Sequence, residues 1–514
     1  MKEEQGRKTL EIITEGFIIA IIMIFPMCVD STGFFRILEC KYRCFLVINA
    51  IYISSLIIAF LYYLLFQKTN LLRDIKFNKI HWILISFLGV NVISTFISPF
   101  FSKYNLFVGV GRAEGLISIT LYSLSFLNIT LFGKFKRRYI LYFSISSILI
   151  NIISILQYVG FNPFNMYQDG IGTHNVSFIG TIGNVDFVSA VYCIVLTVSM
   201  SAYIFLEDNK KIEKIIYLLA TYMGFFIFEV LDVLSGTVAF ALTLLIVSPF
   251  IITNSKRLAR LLMIGAMIIL GYFTNLTINP TFYYDIGRIR LELQVNIIST
   301  MLMILTVIFV LLAFLINKRK FDLSKNKKVI KGLYLLIAIS AIAFIIAIYF
   351  LNFSNGFLYE IHEILHGNLQ DEFGTYRMFL WKRSIELVKD YPIIGTGPDT
   401  FAVRFMSKYA KEVANLGELT INDTAANSYL TILVNTGILG FITYITFLIF
   451  QLINVLKKTN QYSIIFLITF LCFIIQDFFN LWVVIVTPLF WVLMAVMFLT
   501  TTNNKTEEME EKNE

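Results

Sequence analysis

The chain is 514 residues long, 57% hydrophobic and only 15% charged. Apolar runs of roughly 17–22 residues recur along it, the length that crosses about 30 Å of hydrocarbon, and this excludes a soluble globular protein. The net charge of +8 gathers in short loops. No basic-aromatic patch or zinc spacing accompanies it, so nucleic acid is not an expected partner.

In chain order, spans are expected at 13–29, 45–66, 80–98, 114–132, 139–159, 186–206, 213–232, 236–252, 258–274, 295–316, 329–351, 427–450, 463–479 and 481–499. That makes about fourteen, or twelve if the tightly spaced pairs near 213–252 and 463–499 merge. Each has to be a helix, because backbone groups in lipid must be satisfied internally. The expected fold class is therefore an all-α polytopic membrane protein of 12–14 transmembrane helices, with one long extracytoplasmic loop containing short helices. Strongly basic loops at 67–79, 133–139, 207–214, 253–260 and 317–331 all fall on one side, while 160–185 has no Lys or Arg. By the positive-inside rule both termini are cytoplasmic and 352–426 is outside, as expected for a plasma-membrane protein.

The first apolar stretch lacks a small-residue cleavage site and reads as a retained helix. Cys40 and Cys44 share the first outer loop, where they could pair or stay free and buried, and nothing has metal-ligand spacing. Four regions result: N-terminal helices over 1–218, a core over 219–450 that includes the loop 352–426, C-terminal helices over 451–500, and a disordered acidic tail over 501–514.

Polar clusters at the outer surface are the candidates for chemistry. Arg112 and Glu114 stand at the entry to the fourth span; the arginine can hold a phosphate-bearing headgroup in its fork, or anchor the chain by pairing with Glu114. His174 and Asn184 lie in a turn-rich stretch before the sixth span. Glu229 and Asp232 place two carboxylates at the outer end of the seventh, where ionisable groups are costly and often functional. In the long loop, Tyr376–Asp390 has helical spacing, with Tyr376, Leu380, Ser384, Leu387 and Val388 on one face. Pro392 ends that helix, Gly395 and Gly397 make a turn, and Asp399 can cap a second helix through about Val413. Backbone N–H groups of such a turn form an anion site, flanked here by Arg377 and Arg404. The alternative is a surface helix lying flat on the membrane.

At this point the chain resembles the bacterial O-antigen ligase and O-antigen polymerase family. The residues that carry the resemblance are Arg377, Trp381, Pro392, Gly395, Gly397, Pro398, Asp399 and Phe401, followed by Ala426-Asn427-Ser-Tyr-Leu430 and Asn435-Thr-Gly-Ile-Leu-Gly440. Weaker matches are Gly111–Gly115, Gly180–Asn184, Gln476, Asn480 and Pro488–Trp491. The resemblance implies a glycosyltransferase without metal or cofactor that moves a glycan from an undecaprenyl-diphosphate carrier by inverting displacement, polymerising repeats or ligating them. Partners are then the lipid-linked glycan, the bilayer and other polysaccharide-assembly proteins. Arg112, Arg377 and Arg404 suit the departing diphosphate; Trp381 and Asn427 suit glycan binding. Glu229, Asp232, His362 or His366 would supply a base, because the family's histidine before Asn427 is Ala426 here. Two other classes remain open: a lipid-linked oligosaccharide flippase, though no internal repeat is present, and a non-catalytic family member.

Overall fold

The computed structural model describes residues 2–73, 75–166, 180–283, 288–293, 296–416 and 423–502. Each of the fourteen expected spans overlaps a helix, the last only from Thr487 onward. The helices are α1 (Lys2–Ile19), continued by one π turn and one 3₁₀ turn to Met27, α2 (Ile37–Leu65), α3 (Lys79–Phe96), α4 (Leu116–Phe132), α5 (Arg138–Tyr158), α6 (Val185–Phe205), α7 (Lys211–Leu231), α8 (Leu234–Ile252), α9 (Ser255–Thr277), α10 (Ile297–Lys318) and α11 (Lys327–Phe350). The loop after α11 holds α12 (Gly356–Leu365), α13 (Arg377–Val388) and α14 (Phe401–Asn415); α15 (Ser428–Lys457), α16 (Gln461–Gln476) and α17 (Thr487–Thr502) complete the chain. Among the described residues, twelve helices are long and apolar enough to cross a membrane, and α4 and α17 are shorter apolar helices. The chain is a multi-pass membrane protein of all-α class.

Asparagine starts several of these helices. Asn78, Asn184, Asn254, Asn326 and Asn460 each accept from backbone N–H groups of the first turn, which satisfies donors that have no helical partner. Three details depart from the sequence expectation. Between α9 and α10 the strands β1 (Ile278–Tyr283) and β2 (Arg288–Leu293) pair antiparallel, Ile278 opposite Leu293. The alternation of Arg288, Arg290 and Glu292 with Ile289, Leu291 and Leu293 is a period-two pattern. Cys40 and Cys44 lie one turn apart within α2, not in a loop, because α2 begins at Ile37. Finally, 480–486 is not helical, so α17 starts at Thr487.

The helix α6 sits at the centre, buried along most of its length. The helices α10 and α11 are peripheral, with apolar side chains exposed along them, as expected of surfaces that face lipid. The basic loops gather at one end of the bundle. There Lys134 and Lys136 pair with Glu11 at 3.1 and 3.0 Å, Arg137 pairs with Glu213 at 2.7 Å, and Arg260 donates to the carbonyls of Ile204 and Leu206. The long loop is at the other end.

Two contacts fasten the long loop to the bundle. Helix α15 is broken at Gly437, whose φ is +64° and ψ −170°. Into the break goes the turn after α13. Ile438 and Leu439 donate to the carbonyls of Pro392 and Ile393 at 2.8 and 3.1 Å, and Thr396 and Gly397 donate to the carbonyl of Asn435 at 2.8 and 2.9 Å. A Cβ on Gly437 would lie 2.4 Å from the Ile393 carbonyl carbon, and one on Gly395 would lie 2.2 Å from the Asn435 oxygen. In the second contact, the Asp399 carboxylate accepts from the backbone N–H groups of Gly111, Arg112 and Glu114 at 2.9–3.3 Å. Asp399 therefore does not cap α14, whose N-cap is Thr400. Burial pushes the Asp399 carboxyl up to about 6 against these three backbone donors, with Asp423 adding to the rise.

Two expectations follow. Gly437→Ala should sharply reduce the monodisperse fraction in detergent gel filtration, whereas Gly89→Ala, where nothing lies within 4 Å, should leave it unchanged. For Asp399, the raised carboxyl means that the folded protein binds the proton more tightly than the unfolded chain does. Wild-type stability therefore falls as pH rises from about 4 to about 6, by roughly 3 kcal/mol at most. The melting temperature of Asp399→Asn relative to wild type should rise over that interval and be flat above it. A flat difference from pH 4 to 7 would contradict the assignment.

Candidate active site at the loop end

Chemistry-bearing residues from five separate segments meet at the loop end. The start of α6 brings Asp186, with Asn184 as the N-cap accepting from the Asp186 N–H at 2.9 Å. The segment before α4 brings Arg112, and the start of α13 brings Arg377. The charges of both arginines bear on the Asp186 carboxylate, and the Arg112 guanidinium lies 5.4 Å from the Phe187 ring centre. Asn480 holds the Asp186 backbone carbonyl at 2.9 Å. Asp477 ties this corner to α15: it accepts from Ser428 Oγ at 2.6 Å and from Trp482 Nε1 at 3.2 Å. The non-helical backbone of 480–486 is satisfied by side chains: the Leu481 N–H donates to Asn480 Oδ1 at 2.9 Å, the Val483 N–H to Thr487 Oγ1 at 3.2 Å, and the Asn480 carbonyl accepts from Ser428 Oγ at 3.4 Å, as irregular backbone at this depth requires.

The two arginines differ in their partners. Arg112 pairs with Asp423, Nε to Oδ2 at 2.6 Å and Nη2 to Oδ1 at 3.1 Å. The expected alternative, pairing with Glu114, does not occur. Arg377 has no carboxylate partner within ion-pair distance among the described residues. Its Nη1 donates to the Gly374 carbonyl at 3.0 Å and to Thr375 Oγ1 at 2.8 Å, and its Nε is buried without a partner among the described residues. Residues 374–376 all have positive φ, and that turn sets the arginine at the head of α13. One turn on, Trp381 packs edge-on against Phe478 with ring centres 5.5 Å apart, and its Nε1 is also buried and unpartnered. Arg377 and Trp381 thus share one helix face, four residues apart.

Glu114 sits beneath this corner. Its Oε1 accepts from Tyr122 at 3.0 Å and Thr487 at 2.9 Å, while Oε2 is buried with no partner. Burial raises its carboxyl well above the ordinary range, and the charges of Asp399 and Asp477 raise it further. A cavity of about 40 Å³ touches Glu114, Asp399, Ser428, Thr431 and Asn435. Its volume exceeds what one water molecule needs.

The other expected site residues are placed elsewhere or used differently. Arg404 points inward: Nη1 donates to the Val434 carbonyl at 2.6 Å and Nη2 to the Leu387 carbonyl, with the Tyr391 ring 5.2 Å away. It joins α13, α14 and α15. The N–H groups at Thr396 and Gly397 are spent on Asn435, so the glycine turn is a clasp and not an open anion site. Asn427 caps α15, accepting from Leu430 N–H at 2.9 Å. Glu229 is half-buried near the end of α7, and Asp232 is exposed at its left-handed C-cap; neither makes a hydrogen bond or ion pair to the arginine corner among the described residues. His362 and His366 bond the carbonyls of Ile348 and His362, beside α11. His174 lies outside the described residues. The sequence reading missed Asp186, Asp423 and Asp477 as site residues. For Asp477 a signal existed, a carboxylate inside an apolar run; for Asp423 none did.

Residues 297–445 match the family model described as O-antigen ligase. No curated protein matches the chain. The matched stretch begins with α10, contains the whole long loop and ends within α15, so it includes Arg377, Trp381, the glycine clasp and Arg404, while Arg112, Asp186 and Asp477 are contributed by flanking helices. The chain is thus a multi-pass membrane protein that carries, at residues 297–445, a region similar to the O-antigen ligase family.

Proposed function

We propose that the protein is an inverting glycosyltransferase at the outer face of the cytoplasmic membrane. It polymerises undecaprenyl-diphosphate-linked oligosaccharide repeats for surface polysaccharide, or ligates them. Both termini are then cytoplasmic, and the loop end faces outward. The helices over 1–218 serve as a scaffold for the core over 219–450, with 451–500 closing the bundle. The observation that supports this most directly is that Arg112 and Arg377, from segments 265 residues apart, both act electrostatically on Asp186, while the Arg377 Nε is buried without a partner among the described residues.

In this reaction an acceptor hydroxyl attacks the anomeric carbon, and the bond to the carrier diphosphate breaks with its electron pair staying on the diphosphate. The fork of Arg377, with Arg112 beside it, receives that charge. Arg112 must exchange Asp423 for the phosphate. The acceptor proton goes to Asp186, which feels the charge of both cations and connects, through Asn480 and Asp477, to the helix start where Ala426 stands. Trp381 offers an aromatic face with a free N–H to the sugar. Arg404 is assigned a positioning role, since both of its bonded oxygens are backbone carbonyls.

Release of carrier diphosphate from purified protein in liposomes tests the assignment. Arg377→Ala should lower turnover by about 10²-fold or more, as loss of a charge-stabilising donor does, with Arg377→Lys rescuing poorly because the fork is lost. Undiminished turnover in folded Arg377→Ala would refute the site. Asp186→Asn should lower kcat by about 10²–10⁴-fold while carrier binding is unchanged or tighter. If kcat is unaffected, Glu229 or Asp232 becomes the better base. Arg404→Ala should instead reduce the yield of folded protein, because it strips donors from two buried carbonyls.

A further inference from the structure

A second reactive cluster lies where α1 ends against α2. Two side chains of α2 lace the end of α1 to it. Lys41, fully buried, donates Nζ to the carbonyls of Phe25 and Pro26 at 3.1 and 2.7 Å. Arg43 pairs with Asp30 at 2.7 Å. Cys28 sits between these two attachments. The two attachments bracket Cys28 against the turn of α2 that carries Cys40 and Cys44, and both thiols influence its sulphur. All three cysteines are free. Cys28 and Cys44 are half-buried, whereas Cys40 is buried.

We propose that Cys28 and Cys44 are an oxidisable pair that closes to a disulfide linking α1 to α2. The thiol of Cys44 and the ammonium of Lys41 favour the thiolate at Cys28, the form that attacks a disulfide. Cys40 and Cys44 cannot readily bridge each other, being successive turns of one helix, so each needs Cys28. Exposure selects Cys44. The oxidant is a disulfide compound of the compartment. Cys28 thiolate attacks one of its sulphurs, and the other leaves as a thiolate. Cys44 then gives up its proton and attacks Cys28, releasing the second sulphur. Two S–H bonds are lost, one S–S bond forms, and the oxidant leaves as two thiols. The Pro26 carbonyl that holds Lys41 also accepts from Thr181 Oγ1 at 2.6 Å, in the segment that leads into Asn184 and Asp186. The disulfide is independent of the proposed transferase chemistry.

The test uses the full-length protein in membranes, treated with oxidised glutathione, acid-quenched, denatured and alkylated, with thiols counted by intact mass. Wild type should lose two of its five alkylatable thiols without retaining glutathione. Cys40→Ser should also lose two. Cys44→Ser should stop at one blocked thiol that carries glutathione. Cys28→Ser should lose none. The proposal is overturned if wild type keeps all five thiols, if Cys44→Ser still loses two, or if the loss persists in Cys28→Ser, which would place the bond at the buried Cys193 and Cys472.

Discussion

A helix interrupted inside a membrane protein leaves backbone donors and acceptors that water cannot reach, and something in the protein must take their place. At Gly437 that constraint is met by the long loop. The Pro392–Gly397 turn accepts from the second half of α15 and donates to the first half, so loop and helix complete each other's hydrogen bonding. Everything at the loop end inherits its position from this exchange. It fixes the C-terminal end of α13, and so the direction in which Arg377 and Trp381 point. It fixes Asp399 over the 111–114 backbone, which places Arg112. Through α15 it also sets Ser428, whose hydroxyl holds Asp477.

The fourteen spans were legible because lipid imposes one requirement, length of apolar chain, that sequence displays directly. What depended on pairing across the fold was not. The β1–β2 hairpin was overlooked although its alternation was visible. The 480–486 segment is as apolar as a helix, but Asp477 and Thr487 bond Trp482 and Val483 there, and hydropathy carries no trace of such bonds. The helices α13 and α14 were recoverable from spacing and from Pro392. Asp399 was recognised as important but assigned the commoner role of a local cap. Its actual partners are more than 280 residues away in sequence.

The candidate site divides in the same manner. Arg377, Trp381 and Arg112 could be picked out as polar residues beside membrane spans. Arg404 looks no different from Arg377 in sequence, since both flank the glycine turn. Only the fold separates them. One is buried on two carbonyls; the other has a buried Nε without a partner among the described residues. Asp186 is a single acid at a helix start, a place where an acid is expected on helix-dipole grounds alone, so its meeting with two arginines could not be inferred from one chain.

The carboxylates around the arginines carry a consequence for the proposed chemistry. A site complementary only to diphosphate would hold the spent carrier as firmly as the loaded one, and uniform binding of that kind adds nothing to turnover. Asp423 gives Arg112 an anion of the protein's own to return to, while Asp186 acts on Arg377 only at longer range. Glu114 stands apart from them: its Oε1 is held by Tyr122 and Thr487, and burial raises its carboxyl well above the ordinary range. At Arg112, diphosphate binding becomes an exchange of anions, in which the Coulomb terms largely offset each other. Discrimination then falls on the geometry of the Arg377 fork and on contacts to the sugar, the parts of the site that the paired turn and broken helix hold most rigidly.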